Sequence, residues 1–215
     1  NAQSINEDAS NRICEISDKY NKKIIYSSTG SIYGRIKNVV NENTKPNPLT
    51  LYGITKYNAE KVVLKYGGVA LRFATIFGLS TRLRLDLLVN DFCYQAYHLK
   101  QIVMFEGHFR RSFLHVRDAA NSIVHAVEKY DNLKGSAFNI GDESMNFTKK
   151  EVALKILITK LIKLGLVQKD ASADDVLNLQ LRDLLERRFQ TVVYKMGLAN
   201  SANQARQFIL HKKVT

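Results

Sequence analysis

Ile24-Ile25-Tyr26-Ser27-Ser28-Thr29-Gly30-Ser31-Ile32-Tyr33-Gly34 reads as an apolar strand running into hydroxyls and glycine. In parallel α/β sheets the carboxyl ends of such strands are where sites form, so the pattern offers a hydroxyl to a site. Downstream, Pro46-Asn47-Pro48-Leu49-Thr50 leads into Leu51-Tyr52-Gly53-Ile54-Thr55-Lys56. A tyrosine and a lysine four apart share one face of a helix, one turn from each other. A nearby ammonium favours the phenolate and lowers a tyrosine pKa from its usual value near 10. Tyr52 beside Lys56 is then a general base able to take a proton from an alcohol hydroxyl. Y-x-x-x-K alone is a weak signal. The strand, the Ser/Thr run, the proline-containing loop and their spacing give it weight.

Outward from that core the first 155 residues alternate strand-like and helix-like segments, as an α/β fold requires. The patterns predict helix over 60–66, strand over 68–77, helix over 86–99, strand over 101–106 and helix over 117–130. After about residue 155 the pattern becomes helical. Leu157, Leu161, Leu164 and Leu166 form one apolar stripe; Leu184, Leu185, Phe189, Val192, Val193 and Met196 form another. Ser201-x-x-Gln204 has the form of a capping box, with Ala205, Phe208 and Ile209 on the inner side of the helix it opens. Gly165 and Gly197 fall where helix C-caps are expected. The reading is an incomplete doubly wound parallel sheet over 1–155, then a mostly α-helical segment over 156–215.

The chain has 215 residues, 45% of them hydrophobic, with ten Phe and ten Tyr, enough for a real core. No stretch approaches the roughly 20 apolar residues of a membrane span. Cys14 and Cys93 lack metal-ligand spacing and read as two reduced thiols of a cytoplasmic protein. The five histidines form no ligand motif, so no metal is expected. The net charge of +12 suggests anionic partners, nucleic acid among them. Residues 156–215 hold ten Lys and Arg against five Asp and Glu, the denser basic segment.

Residues 1 to about 155 resemble the later part of an extended short-chain dehydrogenase/reductase, of the NAD-dependent nucleotide-sugar epimerase/dehydratase type. The resemblance is carried by Tyr26-Ser27-Ser28-Thr29 through Tyr33-Gly34, by Pro46 through Lys56, and by Leu71-Arg72-Phe73-Ala74-Thr75-Ile76-Phe77-Gly78. Arg111-Ser112-Phe113-Leu114-His115-Val116-Arg117-Asp118 and Phe138-Asn139-Ile140-Gly141 continue it in the same order. It implies a Rossmann-like fold with NAD as cofactor and a nucleotide sugar as substrate. It assigns Tyr52 as base, Lys56 as its partner and ribose ligand, Thr29 as hydrogen-bond partner of the reacting hydroxyl, and Ile76 as part of the nicotinamide wall. It places Asn90 and Arg111 against the substrate. It also implies parallel neighbours in the Thr29 and Ile76 segments. No G-x-x-G-x-x-G phosphate loop occurs in the chain, nor an acidic ribose ligand about 20 residues beyond one.

Residues from about 157 are similar to small-subunit ribosomal protein four of the archaeal/eukaryotic type. The matching stretches are Leu161 through Val167, Asp174 through Leu177, Leu185 through Ser201 and Gln204 through Ile209. This resemblance implies ribosomal RNA as partner, with Arg187, Arg188, Lys195, Gln204, Arg206, Lys212 and Lys213 along it. A solvated helix face is the plainer reading of those charges taken alone. Three readings follow: an inactive epimerase/dehydratase fragment joined to a ribosomal fragment, an RNA-binding module without catalysis, or one sugar-nucleotide enzyme with an unusual C-terminal substrate lid. The first expects a join of two fragments.

Overall fold

β-branched and aromatic residues dominate the short segments that pair into sheets here, and the turns between them fall at glycines. The structure is a computed structural model, and it describes residues 3–35, 39–163, 166–172 and 189–213. The chain divides into two compact units, 1–152 and 153–215.

The first unit opens with a π-helical turn, Ser4–Asp8, running into α1 (Ala9–Lys19). Then come β1 (Ile25–Thr29), a 3-10 turn (Gly30–Tyr33), α2 (Leu51–Lys65), β2 (Val69–Phe73) and β3 (Thr75–Phe77). α3 (Leu88–Tyr94) ends in a π-helical turn over Gln95–Leu99. β4 (Arg110–His115), α4 (Val116–Glu128), the single turn α5 (Tyr130–Leu133), β5 (Ala137–Ile140), β6 (Asn146–Thr148) and α6 (Lys149–Lys163) complete the order, the unit boundary falling inside α6.

β1, β2 and β5 form one parallel sheet in that order, with Thr29 opposite Phe73 and Phe73 opposite Ile140. β3 pairs parallel with β4, and β4 antiparallel with β6. Side chains alternate faces along a strand. Val69, Leu71 and Phe73 pack with Leu114, Ala119, Ala126 and Tyr130 on the α4 side, joined by Ile25, Ile76, Phe138 and Ile140. The opposite face meets α2, where Glu60 and Val63 are buried. Cys14 is buried and Cys93 exposed, both as free thiols.

Three expectations are corrected. The strand predicted over 68–77 breaks at Ala74, whose N–H turns to the Ile140 carbonyl, and the chain passes from one sheet to the other. The first half of this segment is the expected parallel neighbour of the Thr29 strand, with Thr29 opposite Phe73, while Ile76 in the second half lies opposite Leu114. No strand forms over 101–106, which stays irregular. The helix predicted over 86–99 begins at Leu88 and ends as a π-helical turn where Lys100 takes a left-handed conformation, φ 60°.

In the second unit α7 (Phe189–Lys195) and α8 (Ala202–Leu210) pack through Val193, Ala199 and Ala205, with Phe208 and Ile209 against them. Gly197 at φ 74° ends α7: its N–H bonds the Tyr194 carbonyl and Leu198 bonds that of Val193, the paired closure of a helix C-terminus. The Ser201 hydroxyl accepts from the Gln204 N–H at 3.1 Å, and the Gln204 side chain accepts from Asn200 at 2.6 Å, a variant of the expected capping box. Of the second apolar stripe Val193 is buried, while Phe189 and Met196 are exposed. Leu164, Gly165, Leu184 and Leu185 lie outside the described residues.

Candidate functional site

The end of β1 and the start of α2 are held together by backbone close approach. Thr29, still extended at φ −145°, caps the 3-10 turn through its Oγ1, which accepts from the Ser31 N–H at 3.2 Å. Gly34 follows at φ 71°, and any Cβ there would run into the Asn47 carbonyl. That contact and the Asn47 N–H bond to the Ile32 carbonyl, 2.9 Å, lay the proline-containing loop on the turn. Thr50 then caps α2, its hydroxyl accepting from Gly53 at 3.1 Å. At Gly53 an added Cβ would sit 3.1 Å from both the Ser31 carbonyl and Pro48 Cβ, so a side chain there would push the turn after Thr29 back by a few tenths of an ångström.

Tyr52 is exposed, at 51%. Lys56, one turn on and half-buried, has its Nζ 4.2 Å above the centre of the Tyr26 ring. Burial lowers the Lys56 ammonium below the ordinary lysine value, and the Glu60 carboxylate opposes that shift. The Tyr26 phenol is pushed well above the ordinary tyrosine range by burial, with the neighbouring Tyr52 adding to the shift. Among the described residues the Tyr26 hydroxyl, sealed from solvent, has no hydrogen-bond partner. Ser10 lies on its side, but its proton goes to the Asn6 carbonyl at 2.7 Å.

Beside this pair lies a buried polar network that the sequence reading did not single out. Ser28, Arg72 and Asn139 occupy adjacent register positions across β1, β2 and β5. Glu60, 1% exposed, comes down from α2: Oε1 accepts from Arg72 Nη2 at 2.6 Å, and Oε2 from the Ser28 hydroxyl at 2.5 Å. Arg72 Nε lies 3.1 and 3.2 Å from the two oxygens. Its Nη1 donates to the Tyr33 hydroxyl at 2.7 Å, and Tyr33 donates to Asn139 Oδ1 at 2.8 Å. Glu42 closes the set by accepting from the Asn139 N–H at 2.8 Å. A spacing signal was available: Tyr52, Lys56 and Glu60 recur every four residues on one helix.

The other expected residues are more dispersed. Ile76, half-buried, packs against the core. Asn90 Oδ1 accepts from the Gly78 N–H at 3.3 Å and its Nδ2 donates to the Arg84 carbonyl at 3.0 Å, which ties the end of β3 to the following loop. Arg111 is exposed on β4 opposite Phe147, while its neighbour Arg110 is paired to Glu151 at 3.1 Å. In the second unit Lys195, Arg206, Lys212 and Lys213 are exposed, with Lys213 Nζ 5.8 Å from the Phe208 ring centre. Gln204 spends its side-chain oxygen on the helix cap. Arg187 and Arg188 lie outside the described residues. Phe189, Gln190, Arg206, Ile209 and Leu210 line a shallow groove of about 550 Å³. Among the described residues no cluster of His, Cys, Asp or Glu could hold a metal, and no helix is long and apolar enough to cross a membrane.

A parallel sheet whose hydroxyl-bearing strand end is pressed against a Tyr-x-x-x-Lys helix defines a class, and comparison places the chain within it. Over residues 2–141 the chain belongs to the NAD dependent epimerase/dehydratase family. Residues 187–215 match the S4 domain. Among solved structures, MoeE5 in complex with UDP-glucuronic acid and NAD is similar at TM-score 0.64 and 27% identity, over 72% of this chain and 54% of that one. UDP-glucuronic acid 4-epimerase from Bacillus cereus, in complex with UDP-glucuronic acid and NAD, gives 0.63 and 27%, over 74% and 51%. Small ribosomal subunit protein uS4 of Ignicoccus hospitalis is 56% identical over 62 residues, 29% of this chain and 37% of that protein. The Saccharolobus islandicus protein of the same name is 54% identical over 63 residues, 29% and 35%. The chain thus spans about half the length of these solved relatives and little more than a third of the ribosomal ones. It joins an epimerase/dehydratase-family segment to a ribosomal S4 segment.

Proposed function

We propose that the first unit carries the proton-transfer side of a nucleotide-sugar epimerase/dehydratase site, in a chain that does not turn over by itself. Tyr52 takes the proton from a sugar hydroxyl, Lys56 supplies the adjacent positive charge, and the Thr29 hydroxyl orients the reacting oxygen. Arg111, exposed on β4, meets the substrate's diphosphate, and Asn90 borders it. The observation that carries this reading is the close approach of Gly53 to the Ser31 carbonyl, which sets the Tyr52 turn against the turn after Thr29.

NAD is the cofactor of this family, and when bound it supplies the hydride acceptor. Thr29, Tyr52, Lys56 and the wall around Ile76 suit its nicotinamide end. Its pyrophosphate needs a helix N-terminus behind a glycine loop. Among the described residues the glycine-flanked segment after β1 is a four-residue 3-10 turn, whose Ser31 N–H is taken by Thr29. These residues therefore do not fit the whole dinucleotide.

The second unit is read as a ribosomal RNA-binding helix pair, supported by the S4 match and by exposed Lys195, Arg206, Lys212 and Lys213. Arg187, Arg188 and Gln204 complete the proposed RNA face. Domain limits near 155 follow from the same reading.

Saturation-transfer NMR of the full chain with UDP-glucuronic acid tests the first part. Expected is weak binding that Arg111→Ala weakens at least about tenfold, the cost of one charge-assisted hydrogen bond. Binding unchanged in Arg111→Ala, or sub-micromolar NAD binding by titration calorimetry, overturns the assignment.

A further inference from the structure

Glu60 has a placement that stability does not account for. A buried ion pair is often no more stabilising than apolar side chains of the same volume. Yet here a carboxylate 1% exposed sits one helical turn beyond Lys56, and its two oxygens reach two different strands. Oε2 takes the hydroxyl proton of Ser28, the residue before Thr29. Oε1 is held by Arg72, which also grips Tyr33 at the end of the turn following Thr29. The same carboxylate acts on the Lys56 ammonium, four residues back on its own helix.

We propose that Glu60 is a positioning residue, one carboxylate that fixes both the strand end carrying Thr29 and the charge of Lys56. This rests on reading Thr29, Tyr52 and Lys56 as the site. Through Ser28 the carboxylate sets where the Thr29 hydroxyl stands relative to α2. Through space it opposes the pull of burial on the half-buried ammonium. The groups facing Lys56 are Tyr26 from β1, with Cys14 of α1 behind it, Tyr52 and Glu60 from its own helix, and Arg72 from β2 behind the carboxylate. Of these the carboxylate is the anion. Arg72 tempers it without removing it, and the Tyr26 ring holds the ammonium in place.

The test is lysine side-chain NMR of the full chain, with Lys56 assigned through Lys56→Arg. In Glu60→Gln, which keeps shape and hydrogen-bonding oxygen but loses the charge, the Lys56 midpoint falls by roughly half a pH unit or more. Glu60→Asp returns it most of the way. An unchanged midpoint in Glu60→Gln, even with a lowered melting temperature, reduces Glu60 to a structural clamp and overturns the proposal. Should Glu60→Gln not fold, Ser28→Ala tests the strand side. Its loss of a hydrogen bond to a charged group accelerates hydrogen exchange of the Ser28 and Phe73 amides about tenfold, leaving Phe113 and Leu114 in β4 unchanged. Exchange unaltered at Ser28 and Phe73 overturns it. Neither readout needs cofactor or turnover, so substrate binding unchanged in Arg111→Ala refutes the site reading without touching this one.

Discussion

Arg72→Met should be among the costliest single substitutions in the first unit. Met fills much of the space of the arginine stem and brings no charge, so the change isolates the guanidinium. The wild-type pair is sealed, with Arg72 7% and Glu60 1% exposed and 2.6 Å between Nη2 and Oε1. Removing the cation leaves the Glu60 carboxylate with the Ser28 hydroxyl alone among its described partners, and leaves Tyr33 without its donor. Breaking a buried pair from one side costs about 3–5 kcal/mol. A domain has only about 5–15 kcal/mol in total. With a urea slope of about 2 kcal/mol/M, the unfolding midpoint of the first unit falls by about 2 M. Arg72→Met combined with Glu60→Leu replaces both charges and returns to within about 1 kcal/mol of the parent, a coupling of several kcal/mol. Urea unfolding followed by far-UV circular dichroism and by amide exchange in β2 measures both. A loss below about 1 kcal/mol in the single variant, or a double variant as unstable as the single, refutes the account of this pair as a mutually dependent buried unit.

Gly34→Ala forces a side chain into a left-handed backbone position and against the Asn47 carbonyl; at 1–2 kcal/mol for the conformation alone, its melting temperature falls by about 4 °C or more, read by calorimetry. Tyr26→Phe removes a buried hydroxyl that has no partner among the described residues and should stabilise by about 1 kcal/mol near neutral pH. Because burial raises the folded-state pKa of Tyr26 above its unfolded value near 10, its contribution is complete below pH 10 and lost as pH rises beyond that. The variant should lack this alkaline loss, and a spectrophotometric titration should show one late-ionising tyrosine fewer; an identical titration curve counts against the buried placement. In the second unit, RNA binding through about three phosphates gives a log–log salt slope near −2, and Lys195→Ala with Arg206→Ala flattens it while the helical signal stays. Salt-independent binding removes the RNA reading.

Local chemistry made the site's ingredients legible in the sequence. Thr29 follows an apolar run, Tyr52 and Lys56 sit at helical spacing, and Thr50 and Ser201 are caps whose hydroxyls accept as such residues do. The strand break at Ala74 was not legible, since Leu71 through Phe77 is continuously apolar apart from Arg72 and Thr75, and only the competing partners β1 and β4 divide it. Segment 101–106 has strand-like composition but forms no strand, since composition alone supplies no pairing partner. Glu60 and Arg72 look like ordinary surface charges in one dimension. Their burial depends on Ser28 and Asn139 being set on either side by sheet register, which a single sequence does not express.

The polar row Ser28, Arg72, Asn139 also acts as an alignment pin. Parallel strands can slide by two residues and keep every side chain on its proper face, so hydrophobic alternation alone tolerates that error. A two-residue slide of β1 along β2 would set Arg72 opposite Tyr26 or Gly30 instead of Ser28. The Glu60 carboxylate would then be buried without the Ser28 hydroxyl from which it accepts. Only one registration satisfies all the charges, and it is the one that brings Thr29 level with the entrance of the Tyr52 helix.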